Sequence, residues 1–143
     1  VDEEEPADEL HARVTQFSES GNLALEAGEY DRAIAAWRCG LSLLPQPRAK
    51  WEATLWLEAS IGEAFRAKGD VETALDHFAN AYRSADGATN PFVRLRLGTC
   101  YADLGRADAA AENLLYAYML EGEEIFADDR RYLDILRERR LLD

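Results

Sequence analysis

The side chains that could do chemistry here are few and scattered. His11 and His77 are the only histidines, and Cys39 and Cys100 the only cysteines, in 143 residues. A zinc site needs ligands grouped as His-Glu-x-x-His or Cys-x-x-Cys, and neither spacing occurs. Neither histidine belongs to a recognisable arrangement of nucleophile and base, so both read as exposed or hydrogen-bonded helix residues. The two cysteines fall in separate predicted helices and read as small buried core residues. A helical core of this size needs no disulfide, which points to a reducing, cytoplasmic compartment. Lys68-Gly69-Asp70 lacks the glycines of a phosphate loop. Glu121, Glu123, Glu124, Asp128 and Asp129 could gather a cation, but they lack the glycine and ligand spacing of a calcium loop. They read as a solvated connection. No metal, cofactor or catalytic residue is expected, and the chain does not read as an enzyme.

What the sequence does carry is a scaffold. One pattern occurs three times: a Gly, an aromatic or Ala three residues on, a second Gly at seven, an Ala at twelve, a bulky residue at sixteen and a small one at nineteen. The blocks are Gly21, Ala24, Gly28, Ala33, Trp37, Gly40; then Gly62, Phe65, Gly69, Ala74, Phe78, Ala81; then Gly98, Tyr101, Gly105, Ala110, Leu114, Ala117. Self-similarity on this scale means stacked supersecondary units. Helix pairs are expected over about 6–44, 48–85 and 91–121, with a capping helix over about 128–142, in one domain spanning 1–143. Pro6 suits a first helical turn, Gly28 a left-handed helix end, and Asn90-Pro91 an N-cap followed by a first-turn proline. Gly62, Gly98, Ala33, Ala74 and Ala110 let paired helices approach, while Trp37, Phe78 and Leu114 fill the space between one pair and the next. Tyr132, Leu133 and Leu136 recur at helical spacing in the last helix, whose basic end holds Arg137, Arg139 and Arg140.

Charge narrows the choice of partner. The formal charge is −12 with pI near 4.6. Such a field repels phosphate backbones and attracts basic proteins, so nucleic acid is not expected as a ligand. No apolar run approaches the roughly 18 residues of a membrane span, and the acidic start Val1-Asp-Glu-Glu-Glu is unlike a secretory leader. Arginine supplies nearly all positive charge, Lys50 and Lys68 being the only lysines, which with abundant alanine resembles GC-rich bacterial coding.

The repeated pattern resembles the tetratricopeptide repeat (TPR). The resemblance covers most of the chain and implies an all-α, right-handed α-solenoid of three helix pairs with a C-terminal capping helix. The first helix of each pair then lines a concave groove. Its face away from the core would carry Thr15, Ser18, Asn22 and Leu25, then Trp56, Ala59, Glu63 and Arg66, then Phe92, Arg96, Thr99 and Asp103. The expected partner contacts are Asn22, Leu25, Trp56, Glu63, Arg66, Phe92, Arg96, Thr99 and Asp103, because aromatics and arginines dominate binding energy at interfaces. Gly21 and Gly62 are 41 residues apart, and Gly62 and Gly98 are 36 apart. The usual period is about 34. The seven extra residues are expected to lengthen the second pair's first helix at Arg48–Trp56, adding Trp51 and Trp56; the other two fit the loop Asp86-Gly-Ala-Thr-Asn90.

TPR domains that hold the acidic C-termini of chaperones use a clamp of Lys, Asn and Arg. Asn22 occupies a clamp-like place, but Ser18 stands where Lys is expected and Glu63 is acidic, so no clamp is expected. The run from Asn90 to Gly98, continuing to Ala117–Phe126, is similar to the tail of small stand-alone bacterial TPR proteins, some of which resemble toxin-immunity proteins. That resemblance implies an immunity protein that neutralises a basic cognate toxin domain, as a monomer or weak homodimer. The alternative is a three-repeat secretion chaperone or adaptor holding a segment of its partner.

Overall fold

A computed structural model describes residues 8–142. Among them every regular element is helical: α1 (Asp8–Glu26), α2 (Tyr30–Leu43), α3 (Glu52–Ala67), α4 (Val71–Tyr82), α5 (Pro91–Asp103), α6 (Ala107–Glu121) and α7 (Arg131–Glu138). Short 3-10 turns occupy Arg48–Lys50, Gly87–Thr89 and Glu123–Phe126. The chain divides into two compact units, one ending at Gly87 and the other beginning at Ala88. In the first unit α1 packs on α2, α2 on α3 and α3 on α4; in the second, α5 packs on α6 and α6 on α7. The expected helical position of Pro6 lies outside the described residues.

The three pairs turn in the same way. Gly28, Gly69 and Gly105 take φ of +77°, +89° and +77°, the left-handed region that a side chain disfavours. The next amide in each case reaches back to an orphan carbonyl: Glu29 to Ala24 at 2.9 Å, Asp70 to Phe65 at 2.9 Å, Arg106 to Tyr101 at 2.8 Å. Asp70 then caps α4 by accepting from the Thr73 amide at 3.2 Å, and Asn90 caps α5 through Val93 at 3.0 Å.

The first glycine of each block has a different purpose. A Cβ on Gly21 would lie 2.3 Å from the Trp37 indole, one on Gly62 2.8 Å from the Phe78 ring, and one on Gly98 2.6 Å from Leu114. The bulky residue of each block therefore seats in a notch on its own pair's first helix. This adds to the expected role of filling the space between one pair and the next. Trp37 does both, sharing a core with Leu57 and Ile61 of α3 and donating its indole N–H to the Ser18 carbonyl at 3.2 Å.

Other expectations need correcting. Arg48–Trp56 is not a straight extension of α3, because the helix starts only at Glu52. Trp51 is extended, with ψ 134°; its indole N–H donates to Pro45 O at 2.7 Å, and the Thr54 hydroxyl donates to Arg48 O at 2.6 Å. Those bonds hold a turn where a helix would leave them unmade. Cys39 is exposed rather than buried, because the core stripe of α2 runs through Ala33, Ile34, Trp37, Gly40 and Leu41 and passes it by; Cys100 is buried. The final helix is shorter than expected, Arg131–Glu138. It still closes the apolar side of its unit, with Tyr132, Leu133 and Leu136 clustered against Leu95, Leu114, Ala117 and Phe126. Its arginines pair with carboxylates: Arg130 and Arg137 with Glu123, and Arg139 with Asp108.

Two outcomes follow. Gly98→Leu must displace Leu114 from the notch and should lower stability by roughly 1–3 kcal/mol through overpacking. Pairing it with Leu114→Ala should recover part of that loss, as contacting sites are non-additive; thermal melts of the single and double variants measure both, and an unchanged midpoint for Gly98→Leu refutes the notch. Hydrogen bonds from Thr73 hold the Asp70 carboxyl below its ordinary 3.8, and the Arg130 hydrogen bond, with its charge, holds Glu123 below its ordinary 4.5. Depressed carboxyls stabilise the fold fully above those ordinary values and lose the effect as pH falls through the lower native ones. The melting midpoint of an Asp70→Asn, Glu123→Gln variant should therefore fall less than the natural chain's on acidification from about pH 5. Parallel curves would show that these carboxyls carry none of the acid sensitivity.

Candidate functional site

Helix α3 lies between α2 and α4, so most of its circumference is buried: Thr54, Leu55, Leu57, Ala59, Ile61, Gly62 and Ala64. Its exposed residues are Glu52, Trp56 and Ala67. Trp56 is 48% exposed, while Glu63 and Arg66 are half-buried, and their spacing strings the three along one face. Ala59, expected on that face, is buried because the helix is covered from both sides. On α1, Thr15 and Asn22 are exposed, and Ser18 and Leu25 half-buried.

Near the start of α3 the first unit holds an apolar cavity of about 200 Å³, lined by His11, Val14, Leu44, Trp51, Glu52, Ala53 and Trp56. Val14, Leu44 and Trp51 are buried and form its floor, while Trp56, Glu52 and His11 are exposed at its rim. Sequence reasoning found Trp56 but missed His11, Val14 and Leu44 as its neighbours. The one available signal was the extra length before the second block, which carries Trp51.

In the second unit, Phe92 and Arg96 meet on α5, the guanidinium 5.1 Å from the ring centre. Asp103, at the far end of that helix, accepts from the Tyr132 hydroxyl of α7 at 2.8 Å, so its carboxylate is engaged within the chain. Thr99 is buried, 1% exposed, with its hydroxyl donating to Arg96 O at 3.0 Å. That removes it from the expected contact surface, because α5 buries Leu97, Gly98, Thr99 and Cys100 in succession. Arg94, which the pattern did not single out, lies over Tyr116 at 3.9 Å and donates to Asn113 at 3.0 Å.

A further polar group sits on the α3–α4 face. Glu58 accepts from His77 Nδ1 at 2.9 Å and Asn80 Nδ2 at 3.0 Å, and the His77 ring stacks on Phe65 at 5.4 Å. This arrangement pins two helices together. Among the described residues no three His, Cys, Asp or Glu side chains gather as a metal site, and no helix is long and apolar enough to cross a membrane. What the geometry offers is contact: an apolar cavity with an exposed indole at its rim, and charged side chains farther along the same helix.

No protein-family model matches the sequence, and no curated protein matches it. The fold is similar to solved TPR structures. The Yersinia enterocolitica type III secretion chaperone SycD, in complex with a peptide of the translocator YopD, superposes with a TM-score of 0.70 at 15% identity, covering 90% of this chain and 92% of SycD. The second TPR domain of human RPAP3, in complex with an HSP70 peptide, gives 0.69 at 19%, covering 90% and 96%. The C-terminal TPR-containing domain of a putative Plasmodium falciparum FK506-binding protein gives 0.73 at 18%, covering 96% and 97%. At such identities the likeness establishes the fold, an α-solenoid of TPR-like helix pairs with a capping helix.

The two cavity tryptophans should separate in their effects. Trp51→Ala removes a buried indole and its hydrogen bond and should cost about 3–5 kcal/mol. Trp56→Ala removes a half-exposed ring and should cost under about 1 kcal/mol. Denaturant titration of the two variants tests this, and equal losses would place Trp56 in the core.

Proposed function

We propose that this chain is a protein-binding module, without catalysis of its own, that captures a segment of a basic partner polypeptide. The observation carrying this reading is Trp56, a large aromatic left half-exposed at the rim of an apolar cavity on a TPR scaffold. Aromatics in such positions supply most of the binding energy at interfaces. Two structures with similar folds hold a partner's peptide, which supports the same use here. A chaperone or adaptor role, keeping a partner segment from premature association, is favoured by the likeness to SycD. Neutralising a cognate toxin is the second reading, and the −12 charge favours it, since an acidic protein is suited to a basic toxin domain. The proposed contacts are Asn22, Leu25, Trp56, Glu63 and Arg66 in the first unit, and Phe92 and Arg96 in the second.

Affinity capture from the source cell, with mass spectrometry, should identify one basic partner. A co-purifying enzyme that the chain inhibits supports neutralisation; an unfolded or exported client that it keeps soluble supports the chaperone reading. With that partner, Trp56→Ala should raise the dissociation rate by roughly thirtyfold, equivalent to about 2 kcal/mol. Added salt should mainly slow association. Salt-independent association together with full binding by the Trp56→Ala, Arg66→Ala and Phe92→Ala variants would overturn these contacts.

A further inference from the structure

The cavity in the first unit can be read more closely than as part of a face. Its floor is finished structure. Val14, Leu44 and Trp51 are each under 5% exposed, and the one polar atom of the Trp51 ring already donates to Pro45 O. A polar ligand would find no partner on that floor and would lose its own hydration. An apolar group loses nothing there and leaves water.

Size narrows the occupant further. Pockets for small-molecule ligands run to roughly 300–1,000 Å³, whereas an engineered apolar cavity of about 150 Å³ takes one benzene ring. At about 200 Å³, this one fits a single aromatic or branched aliphatic side chain. The wall is set before any ligand arrives, because the Trp51 and Thr54 hydrogen bonds fix the Arg48–Lys50 turn against the start of α3. Trp56 at the rim can then cover whatever enters.

Charge selects the polypeptide that carries the side chain. The chain's formal charge is −12, and within it residues 8–87 hold 13 Asp and Glu against 8 Lys and Arg, so the unit with the cavity is itself acidic. Asp8 and Glu9 are exposed one turn before His11, and Glu52 is exposed at the rim. Lys50 lies 4.6 Å from the Trp51 ring, so the immediate border is mixed and the attraction comes from the wider field. A second copy of this chain would bring the same negative field and be repelled.

We infer that this cavity is an anchor pocket for one aromatic or branched aliphatic side chain carried on a lysine- or arginine-rich segment of another protein. The inference rests on the protein-binding reading above and adds the chemistry that the pocket selects. The probes are toluene and short peptides with a central Phe, Leu or Ala flanked by lysines, plus a Phe peptide flanked by glutamates. The readout is the NMR signal of the three indole N–H groups, with buried Trp37 as the internal control.

Toluene and the lysine-flanked Phe and Leu peptides should shift Trp51 and Trp56 saturably and leave Trp37 in place. The Ala peptide should bind about tenfold or more weakly, as expected from the apolar area it cannot bury. The glutamate-flanked peptide should be weaker too, and the difference should shrink with salt. Ala53→Leu fills the cavity and should abolish the shifts while the Trp37 signal reports an intact fold. Should that variant not fold, Trp56→Ala serves instead and should weaken the Phe peptide at least severalfold. Equal binding of Phe and Ala peptides, or toluene leaving Trp51 unmoved, overturns the pocket. So does concentration-dependent dimerisation in sedimentation that Ala53→Leu abolishes, which assigns the cavity to a second copy. A captured partner whose affinity survives Ala53→Leu overturns the anchor but leaves the module standing. Peptide binding in the cavity with no partner captured from cells does the reverse.

Discussion

Each helix pair depends on a glycine facing a large side chain sixteen residues later. At Gly21 and Trp37, Gly62 and Phe78, and Gly98 and Leu114, the space a Cβ would need is already filled by the partner residue. The absent side chain lets the helices close until the large residue is fully enclosed, which gathers hydrophobic burial and dispersion in one contact. The turns at Gly28, Gly69 and Gly105 then need only to reverse the chain. The pairing is thus set by packing inside each pair, and the left-handed turn makes it short.

Packing that buries α3 on two sides also decides what is left for a partner. A helix with neighbours on both flanks keeps little exposed surface, and on α3 the exposed residues are Glu52, Trp56 and Ala67, with Glu63 and Arg66 half-buried on the same side. Beside Trp56, the turn before α3 replaces a continuous helix and leaves room for the cavity. The cavity and the exposed indole therefore have the same origin, the extra residues before the second block. In the second unit, by contrast, Asp103 is engaged by Tyr132, and Phe92 by Arg96. The cavity of the first unit, by comparison, has a rim open to solvent.

Charge is partly offset within the second unit. Some carboxylates of the second unit are matched by arginines: Glu123, Asp108, Asp129 and Asp134 are each in an ion pair. These exposed pairs add little to stability individually. They do offset the negative field locally.

The sequence by itself determined the three helix pairs, the glycine turns, the Asn90 cap and the apolar stripe of the last helix. Each is a local matter, a residue type answering a backbone angle or a helical period, so spacing alone reveals it. Helical phase also put Trp56 and Arg66 on the face of α3 away from its core stripe, and there Trp56 is exposed and Arg66 half-buried. Tertiary structure decided the rest. Thr99 and Ala59 sit at positions that helical phase assigns to the outer face, and neighbouring elements bury them. Cys39 lies just off a core stripe whose edge depends on how closely α2 meets its neighbours. The turn before α3 exists because Trp51 and Thr54 find carbonyls six residues back, and the cavity because Val14, Leu44 and Trp51, far apart in the chain, leave space between them. Periodicity tells which way a side chain points from its own helix; only the packed neighbours determine what it meets there.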